Sequence, residues 1–274
     1  MARKLFCEIS PFTYRLSVEK EILKRHLNDC FKSVRFAKQR AQDSLPVVVY
    51  RHNSLIRRRL GNVDMQLQEN KAVNLALAVT HIDGVLIRPG ETFSVWKLIG
   101  RTTASRGYKE GLTIEHGKPS KGIGGGMCQL SNLIHWMVLH SDLTISEHHH
   151  HDGLDLFPDH GRQIPFGTGT SISYNYIDYR VTNNTSNIYQ LRLWVKDEYL
   201  CGELRATELQ PHTFHIHAEN EFFSRENGIV YRNGQVYRDV LDRVTGDVLE
   251  SQLLRTNHAR VMYECPPFME IREK

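Results

Sequence analysis

The ten residues Gly122-Ile-Gly-Gly-Gly-Met-Cys128-Gln-Leu-Ser131 hold the best-equipped nucleophile in the chain. Three successive glycines give up much conformational freedom on folding, so they suit a backbone that must adopt positive φ or approach another group closely. Leu130, Leu133, Ile134, Met137 and Val138 then recur at helical spacing, which sets Cys128 in the first turn of a helix. The positive end of the helix dipole and its free N–H groups are expected to stabilise a thiolate and lower the thiol pKa. Around an attacked carbonyl, Gly124, Gly125, Gly126 and Met127 would supply oxyanion-binding amides, with Gln129 adding a hydrogen bond. A glycine loop can also serve a tight turn alone, and free cysteine is among the most buried residue types. Cys7, Cys30, Cys201 and Cys265 have no such loop beside them and are expected to be reduced core thiols.

A thiol nucleophile works with a base, and Glu147-His148-His149-His150-His151-Asp152 offers several. In an extended strand His149 and His151 share a face. Either could take the Cys128 proton, with Asp152 or Glu147 orienting the ring. His116 is a third base candidate, although a lone histidine in a strand more often serves the core. Zinc held by His149 and His151 with Cys128 or His160 is consistent chemistry. The chain has neither a CxxC pair nor HExxH, so no metal and no cofactor is expected. A phosphate-binding loop is excluded because no Gly-Lys-Ser/Thr follows the glycines.

These groups need elements to hold them. Apolar residues between Val18 and Ala41 follow a 3.6-residue period, which predicts an amphipathic helix over 17–41, capped by Ser17 and with Cys30 inward. Val47-Val-Val-Tyr50 predicts a short buried strand, and the basic run from Arg51 to Arg59 a solvated face or loop. A second helix is predicted over 69–80, followed by strands at 85–87 and 113–116. Beyond His160 the texture alternates. Strands are predicted over 171–177, 179–181 and 189–195, with turns at Gly167-Thr-Gly169, Asn183-Asn-Thr185, Asn233-Gly234 and near Asp247. Helices first and strands later give an α+β fold: N-terminal helices, a mixed or antiparallel β-rich core and a hairpin-rich C-terminal tail.

With 35 Lys+Arg against 31 Asp+Glu, the net charge of +4 is too small for a nucleic-acid binder. Glu8 and Arg15 interrupt the N-terminus before a signal-peptide core develops, so a cytoplasmic protein is expected. Gly122 to Ser141 carries no Asp, Glu, Lys or Arg, but Gln129, Asn132, His135, His140 and four glycines argue against a membrane helix.

The ordered set Asn74-Leu-Ala, Ile82-Asp-Gly84, Pro89-Gly-Glu-Thr-Phe-Ser94, Gly100-Arg-Thr, Gly107-Tyr108, Gly122–Ser131, His149-x-His151 and Asn183-Asn-Thr resembles the VanW family, named for an accessory protein of B-type vancomycin resistance. Tyr231-Arg-Asn, Asn257-His-Ala and Val261-Met-Tyr-Glu264 extend the likeness toward the C-terminus. It implies an N-terminal segment over 1–65, a VanW-like core over 66–205 and a β-rich extension over 206–274. It further implies a role in glycopeptide resistance or cell-envelope metabolism, with an L,D-transpeptidase-like acyl transfer in which Cys128 attacks a peptidoglycan stem peptide. The competing expectation is a non-catalytic accessory protein that binds a cell-wall precursor or a partner protein. Two departures motivate it: His148 stands where family members often carry arginine, and Gly161-Arg-Gln-Ile164 replaces a Gly-Arg-Asp-Ala element.

Overall fold

The computed structural model describes residues 5–57, 64–115, 118–150, 153–156, 158, 164–265 and 269–273. In chain order its main elements are α1 (Pro11–Phe31), β1 (Val47–Leu55), α2 (Met65–Val79), β2 (Val85–Ile87), β3 (Thr92–Ser94), α3 (Val95–Ile99), β4 (Glu110–Glu115), β5 (Lys118–Ile123) and α4 (Met127–Val138). There follow β6 (Thr144–Glu147), β7 (Leu154–Asp155), β8 (Arg180–Thr182), β9 (Tyr189–Lys196), β10 (Tyr199–Ala206), β11 (His212–Glu226), β12 (Ile229–Asp242), β13 (Val248–Val261) and β14 (Ile271–Glu273). The fold is α+β, as the pattern predicts.

Helix α4 is the centre of the molecule. On one side it packs with α2 against a sheet of order β1-β10-β9-β2, and Leu130, Leu133, Ile134 and Met137 are fully buried there beside Leu191, Leu200 and Leu204. On the other side Trp136 and Leu139 meet Ile216 of β11 and Val236 of β12. A helix apolar around most of its circumference must be covered on two faces, and two sheets do so here. Gly202 of β10 lets α4 come close: a Cβ at that position would lie 2.8 Å from Met137 Cε and 3.0 Å from Leu193 Cδ2. Strand β1 completes the first sheet by pairing with β10, so the basic stretch from Arg51 to Leu55 is strand and not loop.

Three expectations are corrected. Helix α1 begins at Pro11 after the Ser10 cap, whose hydroxyl accepts the Thr13 N–H at 3.2 Å, and it stops at Phe31. Among its residues Ile22 and Asp29 are buried, whereas Cys30 and Phe31 are exposed. The apolar period of the sequence runs on through Val34, Ala37 and Ala41, but those residues lie in extended chain beside β3 and β2, where the Ala37 N–H donates to the Thr92 carbonyl and the Leu86 N–H to that of Gln39. The predicted strand over 171–177 reduces to a single bridge, Ser173 to Ile177, because its first residues bond to α4 and to the histidine segment. Asn233-Gly234 is no turn. It lies inside β12 opposite a bulge at Asn220, and the chain reverses at Asn227-Gly228, both at positive φ.

Candidate functional site

The glycine loop is held by contacts that only glycine permits. At Gly125 a Cβ would lie 2.3 Å from the carbonyl carbon of Gly111 in β4, so two backbones cross in contact. At Gly126, where φ is +100°, it would meet Lys71 Cγ of α2 at 2.3 Å. Fully buried Asn74 of α2 ties the crossing together. Its Nδ2 donates to the carbonyls of Gly125 and Lys109, each at 3.0 Å, and its Oδ1 accepts the Lys109 N–H at 2.8 Å.

This frame decides which amides face outward. The N–H of Gly124 donates to the Lys109 carbonyl at 2.9 Å and that of Gly125 to the Gly122 carbonyl at 3.1 Å. Neither is available for an oxyanion, which corrects the expectation for those two residues. Gln129 is likewise committed: its Nε2 donates to Ser54 Oγ at 2.8 Å and to the Leu55 carbonyl at 2.9 Å, fastening α4 to β1. Among the described residues the N–H groups of Gly126, Met127 and Cys128 have no backbone acceptor. They form the open start of the helix.

Cys128 sits at the second position of α4, partly buried, as the loop-to-helix reading predicts. Its thiol pKa is raised, the reverse of the expectation. Burial disfavours the thiolate by more than the backbone N–H groups of Ile172 and of Cys128 itself favour it. Of the other cysteines only Cys201 is buried; Cys30 is exposed, and Cys7 and Cys265 are intermediate, so the core-thiol reading holds for one.

The segment Gly169–Ile172 runs along α4. At Cys128 it offers the Ile172 N–H to the sulfur; one turn on, the Thr170 N–H and hydroxyl donate to Asn132 Oδ1 at 2.6 and 2.8 Å. The opposite edge of this ribbon carries the histidines. The Ser171 N–H donates to the His149 carbonyl at 2.7 Å, and His148 Nε2 to that of Gly169 at 3.3 Å. The ribbon therefore separates the histidine row from the sulfur.

His149 is exposed, and its Nε2 lies 3.0 Å from Glu147 Oε1, so Glu147 orients the ring as the sequence suggests. Glu147 is held in turn by Arg25 of α1, at 2.6 and 2.5 Å, and by the Asp178 N–H at 2.9 Å. Burial works to raise its carboxyl, but the Arg25 bond and the other donors outweigh burial and hold it below the usual range. Arg180 beside it pairs with Asp29 and Asp178, which docks α1 on this wall. His148 is of another kind: it packs against His135, centroids 4.2 Å apart, and burial pushes its pKa down to about 4. His135 lies seven residues beyond Cys128, about 10 Å along the helix. His151, Asp152, His116, His160 and Gly161-Arg-Gln163 lie outside the described residues. The sequence gives no sign of the parts played by Arg25, Asn74 and Arg180, because Glu147, Lys109 and Asp29, which they bind, lie 122, 35 and 151 residues away.

Fold and site together define an α+β protein built around a Gly-Gly-Gly-Met-Cys turn at the head of a central buried helix. The description "VanW like protein" fits residues 70–205. The Vancomycin B-type resistance protein VanW of Enterococcus faecalis is 32% identical over 274 residues, covering 100% of this chain and 99% of that one. The chain belongs to the VanW family. It is also 30% identical, over 118 residues, to the uncharacterized protein YoaR of Bacillus subtilis, covering 42% of this chain and 36% of the other. No solved structure matches significantly.

Proposed function

We propose that this protein acts in glycopeptide resistance by thiol-dependent acyl transfer on a peptidoglycan stem peptide, with Cys128 as acyl acceptor. The observation that carries this reading is the placement of Cys128 beside the N–H groups of Gly126, Met127 and Cys128, which have no backbone acceptors among the described residues. Relatedness along the whole chain to a vancomycin B-type resistance protein supplies the biological setting. Because burial keeps the thiol protonated, attack and deprotonation are concerted. The sulfur bonds to the stem-peptide carbonyl carbon as its proton passes to His149, oriented by Glu147, through a water or a substrate amide that crosses the ribbon. The imidazolium then protonates the departing amine, and an acceptor amine resolves the thioester. A cytoplasmic site of action is part of this proposal, supported by five free cysteines.

Incubation with a stem peptide and intact-mass measurement tests it. The wild type should gain an acyl adduct that Cys128→Ala lacks; no adduct and no product would leave the catalytic reading without support. The neutral thiol and the committed side chain of Gln129 favour a second reading, a non-catalytic accessory protein that holds a cell-wall precursor at the same cleft. Calorimetric binding of muropeptides that is unaffected by Cys128→Ser and unaccompanied by turnover would select it.

A further inference from the structure

Away from that cleft, strands β11 and β12 bring three metal-ligating side chains together. His215 and His217 alternate on β11 and so project from one face, and Asp239 of β12 is the cross-strand partner of His215. Their ligand atoms all lie within 4.8 Å of one another. Asp239 Oδ2 is 3.4 Å from His217 Nδ1 and 3.8 Å from His215 Nδ1. Both separations exceed a charge-assisted hydrogen bond of about 2.7–2.9 Å. The shorter matches the spacing of two ligands on one zinc ion and the longer exceeds it by about 0.4 Å, since tetrahedral arms of about 2.0–2.1 Å place donor atoms about 3.4 Å apart.

The surroundings point the same way. His217 Nε2 lies 3.2 Å from Glu219 Oε1, which holds the ring with Nε2 toward one carboxylate and Nδ1 toward that of Asp239. Nδ1 is buried without a hydrogen-bond partner and faces Asp239 Oδ2 at 3.4 Å. A cation between them would take both atoms as ligands. Asp239 is oriented too, because Ser251 Oγ of β13 donates to its other oxygen, Oδ1, at 2.6 Å and leaves Oδ2 turned to the histidines. A carboxylate behind a ligating imidazole and a hydroxyl behind a ligating carboxylate are the outer partners that metal sites use.

We propose that His215, His217 and Asp239 form a binding site for a divalent transition-metal ion, zinc by its donor set, with a fourth position open to water. Two imidazoles and one carboxylate suit zinc and its first-row neighbours over magnesium or calcium. His215, 68% exposed, leaves the site accessible from solvent, while His217 and Asp239 anchor it at 25% and 18%. The ion would clip β11 to β12 on the hairpin whose Ile216 and Val236 pack against α4. The site is independent of the acyl-transfer proposal.

Titration of the untagged full-length chain with zinc chloride against a chromophoric chelator tests it. One zinc per chain is expected. His217→Ala and Asp239→Asn should each weaken binding by at least 100-fold, and Glu219→Gln by about 10- to 100-fold with all three ligands retained. His149→Ala should leave the affinity within twofold, and bound Co²⁺ should give the intense visible absorption of a four-coordinate site. Absence of saturable zinc binding overturns the proposal. So does binding that is lost in His149→Ala yet survives in Asp239→Asn and Glu219→Gln. Should His217→Ala fail to fold, the last two variants decide.

Discussion

Replacing Asn74 by leucine removes the polar clamp on the glycine loop while keeping side-chain volume. Three hydrogen bonds disappear, and two groups are left without partners: the Lys109 N–H, which had Oδ1 at 2.8 Å, and the Gly125 carbonyl, which had Nδ2 at 3.0 Å. The Lys109 carbonyl keeps the Gly124 N–H. The Gly125 carbonyl is buried and the Lys109 N–H partly so; at about 1–3 kcal/mol for each orphan, about 2–6 kcal/mol is expected. With an unfolding entropy of about 2.1 cal/mol/K per residue over this length, that lowers Tm by about 3–10 °C. Asn74→Asp should be worse than Asn74→Leu, because it turns a carboxylate oxygen toward the two carbonyls that Nδ2 now serves. Urea unfolding followed by tryptophan fluorescence, with thermal melts alongside, measures both, and alkylation of Cys128 by iodoacetamide reports whether the loop has shifted. If Asn74→Leu melts within 1 °C of wild type and Asp is tolerated equally, the clamp does not hold the loop and the reasoning fails.

Cys128 should alkylate slowly at pH 7, with a reactivity midpoint above 9, since its thiol is raised from 9.0 by burial; peptide mapping across a pH series checks this, and a midpoint below 8 would restore the dipole-activated thiolate. His140 and His148, both pushed down from 6.5 to about 4 by burial, fold neutral. Unfolded chains bind the extra protons, so stability is fully present above pH 6.5 and declines toward pH 4 by about 3 kcal/mol for each histidine. Urea midpoints between pH 7 and 4 should fall accordingly, and less steeply in His148→Gln. Gly202→Val places its side chain against Met137 and Leu193 and should destabilise by about 1–3 kcal/mol, read by the same denaturation.

The sequence determined what depends on local pattern. Helical spacing after the glycines located α4, consecutive apolar residues located β2 and alternation located β9, because periodicity reports which face is buried before a partner is known. Asn183-Asn-Thr185 read as a turn because Asn183 Oδ1 accepts the Thr185 N–H two residues on, a local bond at 3.0 Å. Tertiary structure decided what depends on partners remote in sequence. Asn233-Gly234 has the composition of a hairpin turn, yet Asn227-Gly228 makes the reversal, because the strand bonds from Glu226 to Ile229 and the bulge opposite set the register. The Cys128 thiol lies where the dipole would activate it, but the ribbon that covers it comes from residues 169–172, and its burial reverses the sign of the pKa shift. His215-x-His217 acquires its third ligand only when β12 pairs beside β11. Burial and ligand geometry are set by chain segments tens of residues away, and no local pattern specifies which of them arrives.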